Sequence, residues 1–323
     1  MIILFACRGF TNTHRPIQRE RTFDFRVWTY ERLFRAHRVP RATFIFSDLE
    51  RLHPWDMEMA ARIGHQLHAA DARVLNDPAR AHQRYQLLVA LQREGINDFG
   101  VWHLGEEPPE GAYPVFLRTE YAHRGVLTDL IHTPGQLAEA CERALAAGHP
   151  RRDLIIVQYR AESITPGLYR KLGTWRVGDT IVPALCAHEP HWMAKRGVLG
   201  CATEAWYEDE YRMVTTNPHG RTLQRAFDIA RIDYGRADYG LIDQRPQVYE
   251  INTNPMVVPP GDHPFTIRVE SMKRFQQNLN AAIAAIDGPA SGPSIRITDA
   301  RPLRRRMGDL MRSRRYRRVP RMP

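Results

Sequence analysis

The sequence predicts an α/β fold class arranged as two or three compact units, and three observations carry that reading. Short apolar runs at 2–6 (IILFA), 43–46 (TFIF) and 72–75 (ARVL) are separated by helix-length segments, the spacing of buried strands joined by helices. A strand pattern of another kind follows at 231–255, where β-formers at 239–242 and 248–251 flank a polar turn at 243–246. The chain has 323 residues, 43% of them hydrophobic, enough to fill more than one core.

Composition removes several classes of function. No apolar run approaches a membrane span, and the opening MIILFAC is too short for a signal peptide and lacks a basic start, so a cytoplasmic protein is expected. Cys7, Cys141, Cys186 and Cys201 are scattered without metal-ligand spacing, which predicts reduced thiols rather than disulfides or zinc. The net charge of +10 is local: residues 301–323 hold ten arginines against Asp309, a net +9, leaving +1 for everything before them. Arginine dominates throughout, with Lys171, Lys195 and Lys273 the only lysines, so a lysine near a candidate site carries more information than an arginine.

Taken in order, the run at 2–6 reads as a first buried strand, and those at 43–46 and 72–75 as its neighbours. Asp77 and Pro78 then predict a helix start, Ala81, Tyr85, Leu88 and Leu91 its apolar stripe, and Gly95 its end. The Pro/Gly-rich segment 106–112 predicts a break. Beyond it come a strand at 114–118 ending in Arg118, a polar loop at 119–125 that includes His123, and a helix capped at Thr133-Pro134. His123 reads as a surface or substrate-side group rather than a base. The run 154–157 (LIIV) is a buried strand leading into Gln158, Tyr159 and Arg160. Gly178-Asp179 marks a hairpin turn, with Lys171 before it and Lys195 after it. Trp175, Trp192, Trp206, Tyr207 and Tyr211 read as packing rather than a ligand cage. A closing helix is expected at 264–286, a linker at 288–292 and an Arg-rich tail too charged to bury, hence disordered.

The stretch 231–255 holds the densest chemistry. Glu250 and Asn252 share one strand face, as do Arg236 and Asp238. A three-residue loop at 243–245 pairs Ile242 with Pro246 and hence Asp238 with Glu250, whereas a four-residue loop separates the two acids; the odd loop is the expectation. Two carboxylates and an amide oxygen are hard ligands, too few to enclose a divalent ion but enough to hold Mg²⁺ against a nucleotide's phosphates. The plainer alternative is an amphipathic hairpin with a wet polar face. Arg236 beside the acids, and the rigid turn at 253–255, argue against it.

The pattern G-R-x-D followed by E-I-N-T-N-P resembles the ATP-grasp superfamily. The resemblance covers roughly residues 70 to 285 and implies two α+β subdomains holding ATP between them, preceded by a small α/β domain. It implies that Asp238, Glu250 and Asn252 hold two Mg²⁺ ions, or Mn²⁺ in their place, and that Arg236 faces an acyl-phosphate intermediate. Asp233, in a similar R-I-D, competes with Asp238, whose distance to Glu250 better suits one hairpin. Arg118 stands where the family usually has a phosphate-contacting lysine, and the planar fork alters the geometry. Gln158 and Tyr159 match the hinge that meets adenine, and Glu162 the ribose-binding acid, with a spacing that departs from the family's. Lys195 resembles the phosphate-contacting lysine of the large loop, and Lys171 lies over the site from the sheet. The expected domains are 1–110, 111–287 with the hinge near 158–160, and 288–323.

The activity so implied is ligation of a carboxylate to an amine or thiol through an acyl phosphate, with Arg236 and Lys195 acting in catalysis. No side-chain nucleophile is needed, and no Ser/His or Cys/His constellation is present. The alternatives are an ATP-binding regulatory or kinase-like protein, and a binder of nucleic acid or acidic peptide through the basic tail. No membrane partner is expected, and a dimer is compatible with the sequence.

Overall fold

The apolar runs of the first 75 residues become a parallel sheet. The computed structural model describes residues 1–20, 22–121, 125–288, 292–298, 307–308 and 311. The first unit comprises β1 (Ile2–Ala6), α1 (Arg15–Glu20), β2 (Phe25–Thr29), α2 (Tyr30–Leu33), β3 (Arg38–Val39), β4 (Thr43–Phe46), α3 (Pro54–Ala69) and β5 (Val74–Leu75). Its sheet runs β2-β1-β4-β5 with every pair parallel. Every residue of β1 and β4 is buried, because a parallel sheet is covered on both faces.

The second unit is antiparallel. Helix α4 (Arg84–Arg93) leads to β6 (Val101–His103), β7 (Val115–Thr119), α5 (Pro134–Ala146) and β8 (Leu154–Gln158), with sheet order β6-β8-β7. Thr133 caps α5 as its sequence suggests, its hydroxyl accepting from the Gln136 N–H at 3.3 Å. Helix α4 starts later than expected: Asp77 accepts from the Ala79 N–H in a local turn, and Gln83 is the N-cap. Strand β6 precedes the expected boundary at 110, yet it pairs with β8, so the 106–112 break falls inside this sheet.

The third unit contains β9 (Ser163–Thr165), β10 (Leu168–Val177), β11 (Thr180–Pro183), β12 (Ala187–Glu189), α6 (Glu204–Thr216), α7 (Gly220–Ala230), β13 (Tyr234–Ile242) and β14 (Arg245–Asn252). The antiparallel order is β11-β10-β13-β14, with β9 and β12 also on β10. Gly178, at φ 61°, makes the turn between β10 and β11.

Helix α8 (Thr266–Ala285) closes the molecule. Phe275, Leu279 and Ile283 join one core with Ile2 and Leu4 of β1, Trp175 of β10 and Tyr234 of β13. The Thr43 hydroxyl donates to the Ile286 carbonyl at 2.6 Å, tying the helix end to the first unit. The segment 292–298, assigned by sequence to a disordered tail, instead carries β15 (Ile295–Arg296), which pairs with β3 and buries Ile295 and Ile297. A short alternating apolar segment found an open strand edge there. The linker at 288–292 is described only at Gly288 and Gly292, and His123 and nearly all of the 301–323 tail lie outside the described residues. Among the described residues no helix is long and apolar enough to cross a membrane, and all four cysteines are free.

Candidate active site

The hairpin β13–β14 turns on two residues, not three. Asp243 and Gln244 take φ of 49° and 61°, the mirror-image turn that matches strand twist, and Ile242 pairs with Arg245. Continued unbroken, this register would set Asp238 opposite Tyr249. A bulge at Tyr249 adds one residue to β14, so Asp238 pairs with Glu250, and Arg236 with Asn252. The expected loop length is therefore corrected, while the expected pairing of the acids holds. Tyr249 stays fixed because its hydroxyl donates to the Arg160 carbonyl at 2.9 Å. A Cβ at Gly240 would meet that hydroxyl at 2.2 Å, so only glycine leaves room for the ring.

Each acid is held by two cations. Asp238 accepts from Arg236 Nε at 2.7 Å and lies 3.0 Å from Lys171 Nζ. Glu250 accepts from Arg84 Nη2 and, at 3.2 Å, from Arg118 Nη2. Arg84 reaches in from the start of α4, donating also to the Thr119 and Glu120 carbonyls. Burial chiefly, and then the neighbouring Arg84, push Arg118 down to about 10. The Nε atoms of Arg84 and Arg118 are buried and have no partner among the described residues.

Arg118, Lys171 and the two acids close one side of a cavity of about 430 Å³ between the second and third units. Arg118, Lys171, Lys195, Asp238 and Glu250 line it, and so do Gln158, Tyr159 and Glu162. Aromatic rings supply another part of its lining: Trp192 lies 5.1 Å from Phe116 and meets Tyr159 edge-on at 5.5 Å. Trp192 is thus a wall rather than packing, unlike Trp175, which is buried in the core. Glu189 builds the loop bearing Lys195. Burial opposes its ionisation, but the N–H groups of Gly197, Arg196 and Lys195 all donate to one carboxylate oxygen and hold its pKa below the usual range.

Not every expected residue reaches the cavity. Arg236 and Asn252 lie one rung beyond its lining, with the Asn252 amide oxygen accepting from the Asn254 N–H at 2.8 Å. The N–H groups of Gln158 and Tyr159 are taken by the Gly100 and Pro114 carbonyls, so these two expected donors are already satisfied within the protein. Asp233 stands apart from the acids: its carboxylate meets the Asn76 N–H at 3.3 Å and Arg176 at 3.6 Å.

Comparison with known proteins rests on structure. No family model matches the chain, and no curated protein matches it. Among solved structures, ATP-grasp ligase PsnB complexed with minimal precursor superposes with a TM-score of 0.53 at 11% identity, covering 88% of this chain and 98% of that one. PsnB complexed with a phosphomimetic variant of minimal precursor, Mg and ADP gives 0.51 at 10% identity, covering 87% and 97%. The chain has the ATP-grasp fold. A RimK domain protein ATP-grasp from Sphaerobacter thermophilus gives 0.49 at 14% identity over 88% and 99%.

Within the ATP-grasp fold, two site groups escaped the sequence reading. Arg84 occupies the apolar stripe of α4, in helical register with Leu87, Leu88 and Leu91, and a charge at such a position was the available signal. Trp192 stands three residues before Lys195, but nothing local separates a cavity wall from a packed ring.

Proposed function

We propose that this chain is an ATP-dependent ligase that activates a carboxylate as an acyl phosphate and joins it to an amine. One observation carries the reading: a single cavity has an aromatic wall that fits a purine and a border of two acids enclosed by four cations. ATP would lie with its base against Trp192, Tyr159 and Phe116 and its ribose toward Glu162. Its phosphates would meet Arg118, Lys171 and Lys195. Among the described residues no three acidic, His or Cys side chains form a ready-made metal cage. Asp238 and Glu250, with Asn252 beside them, would hold Mg²⁺ only jointly with phosphate oxygens, and Arg118, a cavity-lining cation with an unpartnered Nε, fits that same anion. The metal, as one or two ions, would supply charge neutralisation at the phosphates.

In the first step a substrate carboxylate oxygen bonds to the γ-phosphorus, the bond to the β,γ-bridging oxygen breaks, and ADP departs. Lys195 and Arg118 offset the charge that develops, with Arg236 supporting Asp238 from behind. The amine then attacks the acyl carbon, phosphate leaves with the C–O electron pair, and the amine loses a proton to give the amide. The dependence on ATP supports a cytoplasmic setting for this chemistry.

The test is ADP release from the purified full chain across pooled carboxylates and amines. ADP together with a new amide is expected, with Glu250→Gln inactive. A stable phosphate ester without amide would mean that a hydroxyl is phosphorylated instead, and no turnover with any pool would remove the ligase reading.

A further inference from the structure

A second concavity lies away from the cavity, at the carboxyl ends of β1 and β2. It measures about 550 Å³, and its walls include Arg8, Arg32, Arg35 and Arg38 around Trp28. All four arginines are exposed, and the acid among them, Glu31, is buried 3.6 Å from Arg8 Nε. Since the chain outside 301–323 is nearly neutral, four guanidinium groups around one hollow are a local concentration of charge rather than a general bias.

Two of the arginines are held in place. Arg32 stacks on the Trp28 ring at 3.6 Å. Arg38 donates to the Ser294 hydroxyl at 2.7 Å and to its carbonyl at 3.1 Å, so the docking of β15 on β3 orders this side of the hollow. Guanidinium groups fixed in this way lose less freedom on binding an anion.

We propose that this hollow docks an acidic segment of a peptide. Planar forks match carboxylates two bonds at a time. The 301–323 tail shares the sign of the hollow and is excluded as its occupant by charge alone. Nucleic acid fits less well, because the aromatic ring present is only 7% exposed and is covered by Arg32, which leaves no platform for a base.

The hollow is also joined to the hairpin through one loop. Arg8 opens the turn after β1; Cys7 N–H donates to Asp48 at 2.8 Å. Further along, the Phe10 carbonyl accepts from the Asn254 side chain at 3.1 Å, and the Thr13 hydroxyl donates to the same side chain at 2.7 Å. Asn254 lies two residues past the end of the strand that bears Glu250 and Asn252. The segment 7–13 thus connects the arginine hollow to the turn after the acid-bearing strand. That the docked peptide is also the molecule ligated rests on the ligase reading; the docking itself does not.

The experiment uses the full chain without nucleotide and a fluorescein-labelled peptide of eight glutamates, read by fluorescence anisotropy at 50 and 150 mM NaCl. Saturable binding is expected, weakened about tenfold by Arg32→Ala with Arg35→Ala and about threefold by the lysine pair at the same positions, which keeps charge but loses the fork. Arg314→Ala with Arg315→Ala removes equal charge from the tail and should change affinity by no more than about twofold. The inference is overturned if the tail pair costs as much as the hollow pair or if no binding saturates. It also falls if an oligo-dT twelve-mer displaces the label at lower concentration than unlabelled peptide does, since that makes the partner a nucleic acid. Because ATP is absent, intact binding in a chain that releases no ADP would count against the ligase reading alone.

Discussion

Two polar clusters meet the β13–β14 hairpin, and they are built on opposite logics. At the β13 start and the β14 end lies a sealed seam between units: His14 Nε2 bonds the Tyr234 hydroxyl at 2.7 Å, and the Asn76 side chain bonds the Phe46 and Tyr234 carbonyls and the Asp233 and Tyr234 N–H groups. Its named groups satisfy one another, and His14 is fully buried and neutral, with burial lowering its pKa to about 3. Midway along the hairpin, the acid pair borders a cavity, and the guanidinium groups that hold it keep buried nitrogens without partners among the described residues. Burial alone does not mark a site; what separates the clusters is whether the protein itself completes the bonding.

The largest effect that could break this contrast is at Glu250. Glu250→Gln should lower ADP release by at least about a hundredfold, while thermal unfolding shows the fold intact. Activity within tenfold of the parent chain would move the acid pair into the same class as the seam. Tyr234→Phe should do the converse, leaving His14 Nε2 without its partner and costing about 1–3 kcal/mol. Urea titration measures that loss, and ADP release per folded molecule should stay within twofold. A drop in turnover at unchanged stability would show that the seam belongs to the site.

The pH dependence sharpens the contrast further. His14 has a folded pKa near 3 against an ordinary 6.5, so the unfolded chain binds more protons between those values. Its contribution is complete above pH 6.5 and is lost as pH falls toward about 3, at a slope approaching about 1.4 kcal/mol per pH unit. Asp48 has the opposite sign: burial raises it from 3.8 to about 6, so its contribution is present below 3.8 and is lost as pH rises through about 6. In His14→Gln the stability slope between pH 6.5 and 5 should fall by about one proton, as read from urea midpoints at stepped pH; an unchanged slope would mean that His14 is protonated in place. The smallest effect is at the turn, where Gln244 holds a φ of 61°. Gln244→Gly should add about 0.5 kcal/mol without altering turnover, visible as a small rise in Tm.

Much of the architecture was legible because it depends on short-range periodicity. The runs at 2–6 and 43–46, the cap at Thr133, the turn at Gly178 and the closing helix each follow from neighbours a few residues apart. The segment 292–298 was misread because its strand partner, β3, lies more than 250 residues earlier in the chain, and no local pattern announces an open edge. The start of α4 was misplaced because Asp77-Pro78 is equally good turn chemistry.

For the hairpin itself, alternation along two strands was enough to bring Asp238 and Glu250 to one face, since side-chain period is set by the backbone alone. The tertiary structure decided how that pairing is achieved, through a two-residue turn and a bulge rather than a longer loop. It also decided what surrounds the acids. Arg84 and Arg118 reach Glu250 across 166 and 132 residues of chain, and the aromatic wall comes from three separate segments. Such contacts are set by how units close on one another, which only the whole fold determines.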